Sequence, residues 1–120
     1  MNENTVQKYD WGYIVNWASH ETYAGKILVF DKIHSKTDFY MSKNVQKSFF
    51  INQGNFTIRW IDTKNGDFLE KNLQEGETFN VAPMMPIQIC NKNHYGSISQ
   101  VSNGDDNIDR ITILKADTIG

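Results

Sequence analysis

Short runs in which apolar and polar residues alternate recur along the whole chain, and helical periodicity is nearly absent. In the run KSFFI, for example, Lys47, Phe49 and Ile51 fall on one face of an extended chain, and Ser48 and Phe50 on the other. Such runs, separated by turn-forming residues, are typical of an all-β domain. The pattern predicts ten strands, at residues 11–17, 26–33, 39–43, 47–51, 55–61, 68–73, 78–82, 87–91, 97–101 and 109–114.

Turn signals separate several of these predicted strands. In DTKNGD, Asn65-Gly66 predicts a two-residue hairpin turn, because that turn needs positive φ at both positions. Gly76 in QEGE predicts a second tight turn, and Pro83 and Pro86 predict a bend that leads into the strand at 87–91. Since the sequence contains no linker, repeat or low-complexity segment, residues 1–120 are predicted to form a single domain.

Charge and composition exclude several partners and locations. The formal net charge is -2, and no run of Lys or Arg forms a basic patch, so neither nucleic acid nor an anionic membrane is an expected partner. The start MNENTVQKYD lacks the apolar run of a signal peptide, and no stretch approaches the roughly 20 apolar residues of a membrane span. A soluble, cytoplasmic protein is expected. Cys90 is the one cysteine, which excludes an internal disulfide and leaves too few ligands for a Cys/His zinc site.

Four segments in order carry a likeness to a known family. KYDWGYIVNW matches an opening Pro-Trp-Gly segment, with Asp10 in place of proline, and MSKNVQKSFFINQG matches a glycine-closed metal motif in spacing up to Gly54. GETFNVAPMMPIQICN matches a second motif from Gly76 to Asn91, and VSNGDDNIDRI, which contains Ile108, matches a closing acidic segment. Together they resemble the cupin superfamily, and within it the small cupins related to type II mannose-6-phosphate isomerases and to the C-terminal domain of mannose-1-phosphate guanylyltransferases.

The resemblance implies a fold and an assembly. The fold is the cupin double-stranded β-helix, a jelly-roll barrel whose two sheets enclose a cavity. It also implies a homodimer, often formed by strand exchange at the N-terminus, for which TVQKYDW is a suitable arm.

The family's metal ligands are replaced in this chain. The resemblance places three imidazoles and one carboxylate around a divalent metal, but the matching positions hold Met41, Lys43, Lys47 and Ile87. A thioether is a poor ligand for such ions, isoleucine cannot ligate, and two ammonium groups would repel a dication. We therefore expect no metal and no cofactor at the usual place.

The leading hypothesis gives the lysines a ligand of opposite charge. Met41 and Lys43 share one face of FYMSK, and if that face and the Lys47 face both line the barrel, two ammonium groups meet in one space. They would then hold a small anionic carbohydrate, such as a sugar phosphate or carboxylate, or the protein would be an accessory in sugar-phosphate or sugar-nucleotide metabolism. The pocket candidates are Met41, Lys43, Lys47, Phe49, Ile87, Ile89 and, as a third cation, Arg110.

Three alternatives remain open. In one, the old site has decayed and the lysines reach the barrel mouth or pair with Asp31, Asp38 or Glu77. In another, the protein is a sugar-phosphate isomerase or epimerase, with Lys43 or Lys47 as base and Tyr40 or Tyr95 as acid. In the last, it is a ligand-free structural or regulatory dimer, which a cavity closed by Ile87, Ile89, Met41 and Phe49 would favour. The sequence leaves enzymatic activity undecided.

Other reactive residues have structural explanations. His20, His34 and His94 lie in turn-rich segments, so we expect them at the surface. Cys90 is expected to be a partly buried, inert thiol.

Aromatic and acidic residues could also form sites, but structural roles are favoured. The aromatic set that could line a sugar-binding face is expected to fill the core, and it comprises Trp11, Tyr13, Trp17, Phe49 and Trp60. Asp105, Asp106 and Asp109 lack the ligand spacing of a calcium loop. They are expected in a solvated turn, with Asp106 or Asp109 paired to Arg110.

Overall fold

Eleven β-strands make up the fold in the computed structural model, which describes residues 5–107 and 109–115. They are β1 (Val6–Tyr9), β2 (Gly12–Ser19), β3 (Ala24–Phe30), β4 (Phe39–Ser42), β5 (Lys47–Gln53), β6 (Phe56–Ile61), β7 (Phe68–Leu73), β8 (Thr78–Val81), β9 (Ile87–Asn91), β10 (Gly96–Ser102) and β11 (Arg110–Leu114). Among these described residues there is no helix that could cross a membrane. Ile108, part of the match to the closing acidic segment, lies outside the described residues.

The strands form two antiparallel sheets that face each other as a jelly roll. One sheet has six strands in the order β1-β2-β3-β10-β5-β8, and the other has five in the order β11-β4-β9-β6-β7. All ten strands expected from the alternating pattern are present, which confirms the predicted all-β barrel. The additional strand is β1, where the predicted exchange arm pairs with β2 of its own chain, from Val6 opposite Val15 to Tyr9 opposite Gly12.

Large apolar side chains from both sheets fill the space between them. In β5, Lys47, Phe49 and Ile51 are 2%, 1% and 0% exposed, whereas Phe50 is 45% exposed, so the predicted faces of this strand are confirmed. Small barrels are normally filled by side chains in this way. The core comprises Trp11, Ile14, Leu28, Phe30, Tyr40, Phe49, Ile51, Phe56, Ile58, Leu73, Val81, Ile87, Ile89 and Ile98.

The two turns predicted at Gly76 and at Asn65-Gly66 are both present, but the second is not of the predicted type. Gly76 has φ +85° in a turn closed by the Glu77 amide donating to the Gln74 carbonyl, as expected for a tight turn. The β6–β7 hairpin is present, but the predicted two-residue turn is wrong, because Gly66 has φ +76° while Asn65 does not have positive φ. Instead the Gly66 amide donates to the Asp62 carbonyl, and the Asn65 side chain accepts from the Asp67 amide, which stabilises a longer loop.

The start of β2 depends on a glycine. Gly12 has φ +152° and lies opposite Phe30 of β3. A Cβ at this position would lie 1.9 Å from the Val29 carbonyl oxygen, far closer than atoms can approach. Only glycine therefore lets β2 begin against β3 at this separation.

We expect Gly12→Ala to lower the free energy of unfolding by at least about 2 kcal/mol, because the backbone of β2 or β3 must shift to admit the methyl group. Urea unfolding measures the change. Gly104→Ala is the matched control, since its Cβ would make an ordinary 3.7 Å contact with Val45 at a position without positive φ. Equal stability of the two variants would contradict the close approach of β2 and β3.

Candidate functional site

Charged side chains meet inside one end of the barrel. The Asp106 carboxylate accepts a hydrogen bond from Lys26 Nζ at 2.6 Å and another from Lys47 Nζ at 3.0 Å. These three residues are at most 5% exposed, and the more exposed Asp105 lies 3.3 Å from Lys26 Nζ. Two ammonium groups and two carboxylates cancel in formal charge. We call Lys26, Lys47, Asp105 and Asp106 the buried ion cluster.

Strand register and one loop assemble this cluster. Lys26 on β3 and Lys47 on β5 project inward on either side of β10, and Gln100 of β10 lies directly opposite Lys26. The loop after β10 then returns over the barrel end and carries Asp106 between the two lysines. Gln100 Nε2 donates to the same carboxylate at 3.2 Å, and Ser42 Oγ of the facing sheet donates to the Asp106 carbonyl at 3.4 Å. The carboxylate therefore accepts from three side chains of the six-stranded sheet, while the backbone of the same residue is bonded to the five-stranded sheet.

The cluster shifts the ionisation of its members. Burial alone would raise the pKa of Asp106, but the nearby Lys47 and Lys26 ammonium groups outweigh burial and hold that pKa well below its usual range. Burial alone would lower the pKa of Lys26, but Asp106 and Asp105 together raise it above its ordinary value. Both groups therefore stay charged at neutral pH, which is the condition for a buried ion pair to hold.

Two of the predicted cations meet at one aromatic ring. Lys47 Nζ lies 4.5 Å from the centre of the Tyr40 ring, and the Arg110 guanidinium carbon lies 4.1 Å from the same centre. Lys47 Nζ is also 5.9 Å from the Phe49 ring. These are cation–π distances, so the ring adds a favourable contact to each cation.

Lys43 and Met41 lie elsewhere. Tyr40 and Ser42 are the inward residues of β4, each 4% exposed, whereas Lys43 is exposed and Met41 is half-buried on the opposite face. The expectation that Lys43 and Lys47 point into one space is therefore wrong, because the inward face of this strand is shifted by one residue. Phe39 explains the ambiguity: it is fully buried on the outer face of the sheet, where it contacts Phe68.

The remaining pocket candidates belong to the core. Phe49, Ile87 and Ile89 are at most 1% exposed and pack within one apolar cluster. Three of the four side chains expected to close a ligand-free cavity thus lie in the core, whereas the fourth, Met41, faces away from it. Of the candidates, the structure thus brings together Lys47, Phe49 and Arg110 around Tyr40, with Ile87 and Ile89 in the same core.

The residues at the family's metal positions do not fit a metal. Met41 and Lys43 face away from the barrel interior, Ile87 has no ligating atom, and the Lys47 ammonium is bonded to Asp106. Among the described residues, no group of three or more His, Cys, Asp or Glu side chains is close enough to hold a metal ion.

The expectation of a solvated acidic turn is wrong for Asp106, which is buried and pairs with Lys26 and Lys47. Asp109 instead accepts a hydrogen bond from the Asn44 amide at 2.8 Å. Lys26 is not among the residues predicted from the sequence, although one signal points to it. Lys26, Leu28 and Phe30 alternate onto one face, so a strand that buries the two apolar residues must also bury an ammonium, which then needs a carboxylate.

The histidines and the cysteine agree with their predicted positions. His20, His34 and His94 are exposed, and the His20 ring stacks on Tyr23. Cys90 is a free, half-buried thiol whose pKa is raised by burial.

Core packing explains most of the aromatic set. Trp11 and Phe49 are in the core, and Trp60 packs against it. Trp17 and Tyr13 are the exceptions in this set. Trp17 is 57% exposed on the outer face of the six-stranded sheet, and Tyr13 is half-buried outside the core cluster.

Comparison with solved structures shows the fold. The capsular polysaccharide assembling protein CapF from Staphylococcus aureus has a TM-score of 0.77 and 13% identity, over 91% of this chain and 34% of that protein. Oxalate decarboxylase from Bacillus subtilis, which has Mn(II) centres, has a TM-score of 0.80 and 12% identity, over 90% of this chain and 29% of that enzyme. Both are cupins, so the chain has the cupin fold, and it spans about a third of the length of these proteins. The likeness supports the fold and not the mannose-6-phosphate isomerase type in particular.

Sequence comparisons do not assign the chain to a family. A scan against protein-family models finds no match, and a search of curated proteins finds none either.

We expect Asp106→Asn to lower the free energy of unfolding by about 3–5 kcal/mol, since it removes the shared counter-charge of two buried lysines. Urea unfolding at neutral pH measures this. Asp105→Asn is the control, because its side chain is 38% exposed and its pair with Lys26 is screened by water; we expect a loss of about 1 kcal/mol or less. Similar losses in both variants would contradict the central position of Asp106.

The same cluster predicts a pH dependence. The pKa of Asp106 is lower in the folded chain than in the unfolded chain, so its stabilisation is complete above about pH 4 and is lost as the pH falls toward the lowered value. Melting temperatures measured between neutral and strongly acidic pH should therefore fall more steeply for the wild type than for Asp106→Asn. Parallel curves for the two proteins would contradict this assignment.

Proposed function

We propose that this chain, which has the cupin fold, is a metal-independent structural or accessory protein that forms a homodimer. The observation that carries the proposal is the ion pair between Lys47 and Asp106 inside the barrel. Lys47 stands where the resembled family has its carboxylate ligand, and a lysine bonded to a carboxylate there serves folding in place of metal binding.

The same ion pair argues against an anionic ligand in the barrel. A sugar phosphate inside the barrel would compete with Asp106 for Lys47 and would leave that carboxylate buried with less counter-charge, which is costly. The apolar core around Phe49, Ile87 and Ile89 also occupies the space that such a ligand would need. The geometry therefore favours the structural alternative over a ligand held by Lys47.

An isomerase or epimerase is less well supported. A catalytic base must reach a substrate proton, but the Lys47 side chain is 1% exposed and bonded to Asp106. The suggested acid Tyr95 directly precedes β10, whereas Lys47 pairs with Ser102 at the other end of that strand, which puts their backbones roughly 20 Å apart. Tyr40 is close to Lys47 but is itself buried.

The outer face of the six-stranded sheet is the proposed dimer surface. The Trp17 ring lies over Gly25, which is opposite Val101, and Val101 is diagonal to Phe50 on the next strand. Trp17, Val101 and Phe50 are 57%, 52% and 45% exposed, and the two aromatic side chains alone present roughly 200 Å² if each whole aromatic side chain has about 150–250 Å². We call these three residues the apolar stripe.

A second copy of the chain is the occupant that the apolar stripe favours. The stripe carries no charge, so nothing in it would select a charged partner, and two copies related by a two-fold axis can bury it against itself. With its polar surroundings, it provides a central part of the roughly 800 Å² per subunit that a stable interface buries.

We also propose a role in carbohydrate metabolism and a cytoplasmic location. Carbohydrate metabolism is supported by the motif likeness to sugar-phosphate cupins and by the shared fold with a capsular polysaccharide assembling protein. A cytoplasmic location is compatible with the free Cys90 thiol.

We expect protein purified without chelator to contain no stoichiometric iron, manganese, nickel or zinc by elemental analysis, and to sediment as a dimer in analytical ultracentrifugation. Trp17→Ser should shift the protein toward monomer, because it removes the largest apolar contact of the stripe.

Tyr95→Ser is the matched control, since Tyr95 is 45% exposed outside the stripe, and it should leave the dimer intact. One metal ion per chain would overturn the metal-independent proposal. A monomeric wild type, or a dimer equally resistant to both substitutions, would overturn the proposed surface.

A further inference from the structure

A polar pocket of about 330 Å³ lies on the outer face of the five-stranded sheet, away from the buried ion cluster. Residues from three strands and two loops line it, and those that matter most are Lys36, Thr57, Arg59, Glu70, Cys90 and Lys92. Its volume is within the range of sites for small metabolites. We call it the outer pocket.

The register of β6 with β7 and β9 brings together the side chains that form the floor of the outer pocket. Thr57 of β6 lies opposite Cys90 of β9, and Arg59 of β6 lies opposite Glu70 of β7. Their neighbours along the strands, such as Ile58 and Ile89, point into the core. The four side chains therefore project outward from adjacent strands onto one patch of the sheet.

The segment before β4 forms one wall of the pocket. The Asn91 amide donates to the Ser35 carbonyl at 2.8 Å, and the Thr37 amide donates to the Ile89 carbonyl at 3.0 Å, so this segment pairs with β9. The pairing carries Lys36 to the pocket rim. Lys92 reaches the pocket from the end of β9, where its backbone amide is held by the Asn55 carbonyl.

Charge concentrates in the outer pocket. Lys36, Arg59 and Lys92 contribute three positive charges and Glu70 one negative charge, a local sum of +2 in a chain whose formal charge is -2. The same three cations act on the Cys90 thiol. Burial raises the pKa of this thiol, whereas Arg59, Lys36 and Lys92 each act to lower it. Three cations thus line the pocket and act on the Cys90 thiol.

The central cation is held in place before any ligand arrives. Arg59 Nη1 donates to Gln88 Oε1 at 3.2 Å, and its guanidinium carbon lies 5.9 Å from the buried Phe39 ring. Gln88 is itself fully buried and donates to the Thr37 carbonyl at 2.9 Å. A guanidinium has five N–H donors, so anchoring through Gln88 leaves most of its donor capacity for a ligand. Little conformational entropy is then lost on binding.

We infer that the outer pocket binds a small phosphate monoester that also carries hydroxyl groups. The charge of such a phosphate at neutral pH, close to -2, matches the pocket, and Arg and Lys are the side chains that bind phosphate oxygens best. The Glu70 carboxylate can accept from hydroxyl groups of the same molecule, and Thr57 Oγ1, which donates its proton to Asn72 Oδ1 at 2.7 Å, keeps acceptor capacity, features that a simple anion site would not require. The inference does not rest on the proposed dimer, whose surface lies on the other sheet.

Cys90 makes the test direct, because it is the only thiol in the chain. The rate of its alkylation by iodoacetamide, an uncharged reagent, is measured with mannose 6-phosphate, with inorganic phosphate, with mannose, and with sodium chloride at equal ionic strength. Mannose 6-phosphate should slow alkylation at concentrations where mannose and sodium chloride have no effect, since a bound phosphate shields the pocket floor. The dependence of the rate on concentration gives the Kd.

Charge variants test whether mannose 6-phosphate binds in the outer pocket. Lys92→Gln should weaken the Kd for mannose 6-phosphate about tenfold, the cost of one charge-assisted contact, and Arg59→Gln should weaken it at least as much. Lys64→Gln, on the exposed β6–β7 hairpin, makes the same charge change outside the pocket and should leave the Kd unchanged. Lys92 is exposed, so its variant keeps the test valid if Arg59→Gln fails to fold.

Four results would overturn the inference. Equal protection by sodium chloride would show screening in place of binding, and equal weakening by Lys64→Gln would show a general charge effect. Inorganic phosphate that protects as well as mannose 6-phosphate would remove the role assigned to the hydroxyl groups. No protection by mannose 6-phosphate at millimolar concentration would reject the site altogether.

Discussion

The fold depends on the neutralisation of two ammonium groups inside the barrel by Asp106. Either lysine alone in that interior would be a buried unpaired charge, which costs several kcal/mol. Asp106 removes both costs with one carboxylate, and in doing so it ties the loop after β10 to β3 and to β5. The closed end of the barrel, the position of that loop and the filled core therefore form one interdependent unit.

This arrangement changes what the cupin fold can do here. In the resembled family the inner faces of the two motifs supply metal ligands, whereas in this chain the same region supplies an ion pair and apolar packing. Chemistry that needs an accessible interior is then disfavoured, and the features that remain for partners lie outside the barrel. Those features differ in character between the sheets, because the six-stranded sheet presents the apolar stripe and the five-stranded sheet presents the outer pocket.

Sequence patterns were sufficient where one face of a strand is clearly more apolar than the other. In β5, the alternation of Lys47, Phe49 and Ile51 with Ser48 and Phe50 predicted the inward face correctly. The same argument failed in β4, where Phe39, Tyr40 and Met41 place large apolar groups on both faces. A period of two defines two faces but does not say which one meets the core, and Phe39 could be buried on the outside only because Arg59 and Phe68 of other strands cover it.

The sequence by itself determined the all-β class, the ten strands and the positions of the two glycine turns, because each of these follows from residues that are close together in the chain. The tertiary structure alone decided which charges meet. Lys26 and Asp106 are 80 positions apart, and the cations of the outer pocket come from residues 36, 59 and 92, so no local run of basic residues announces either site. The physical reason is that electrostatic interactions depend on distance in space, and strand pairing across the two sheets sets those distances.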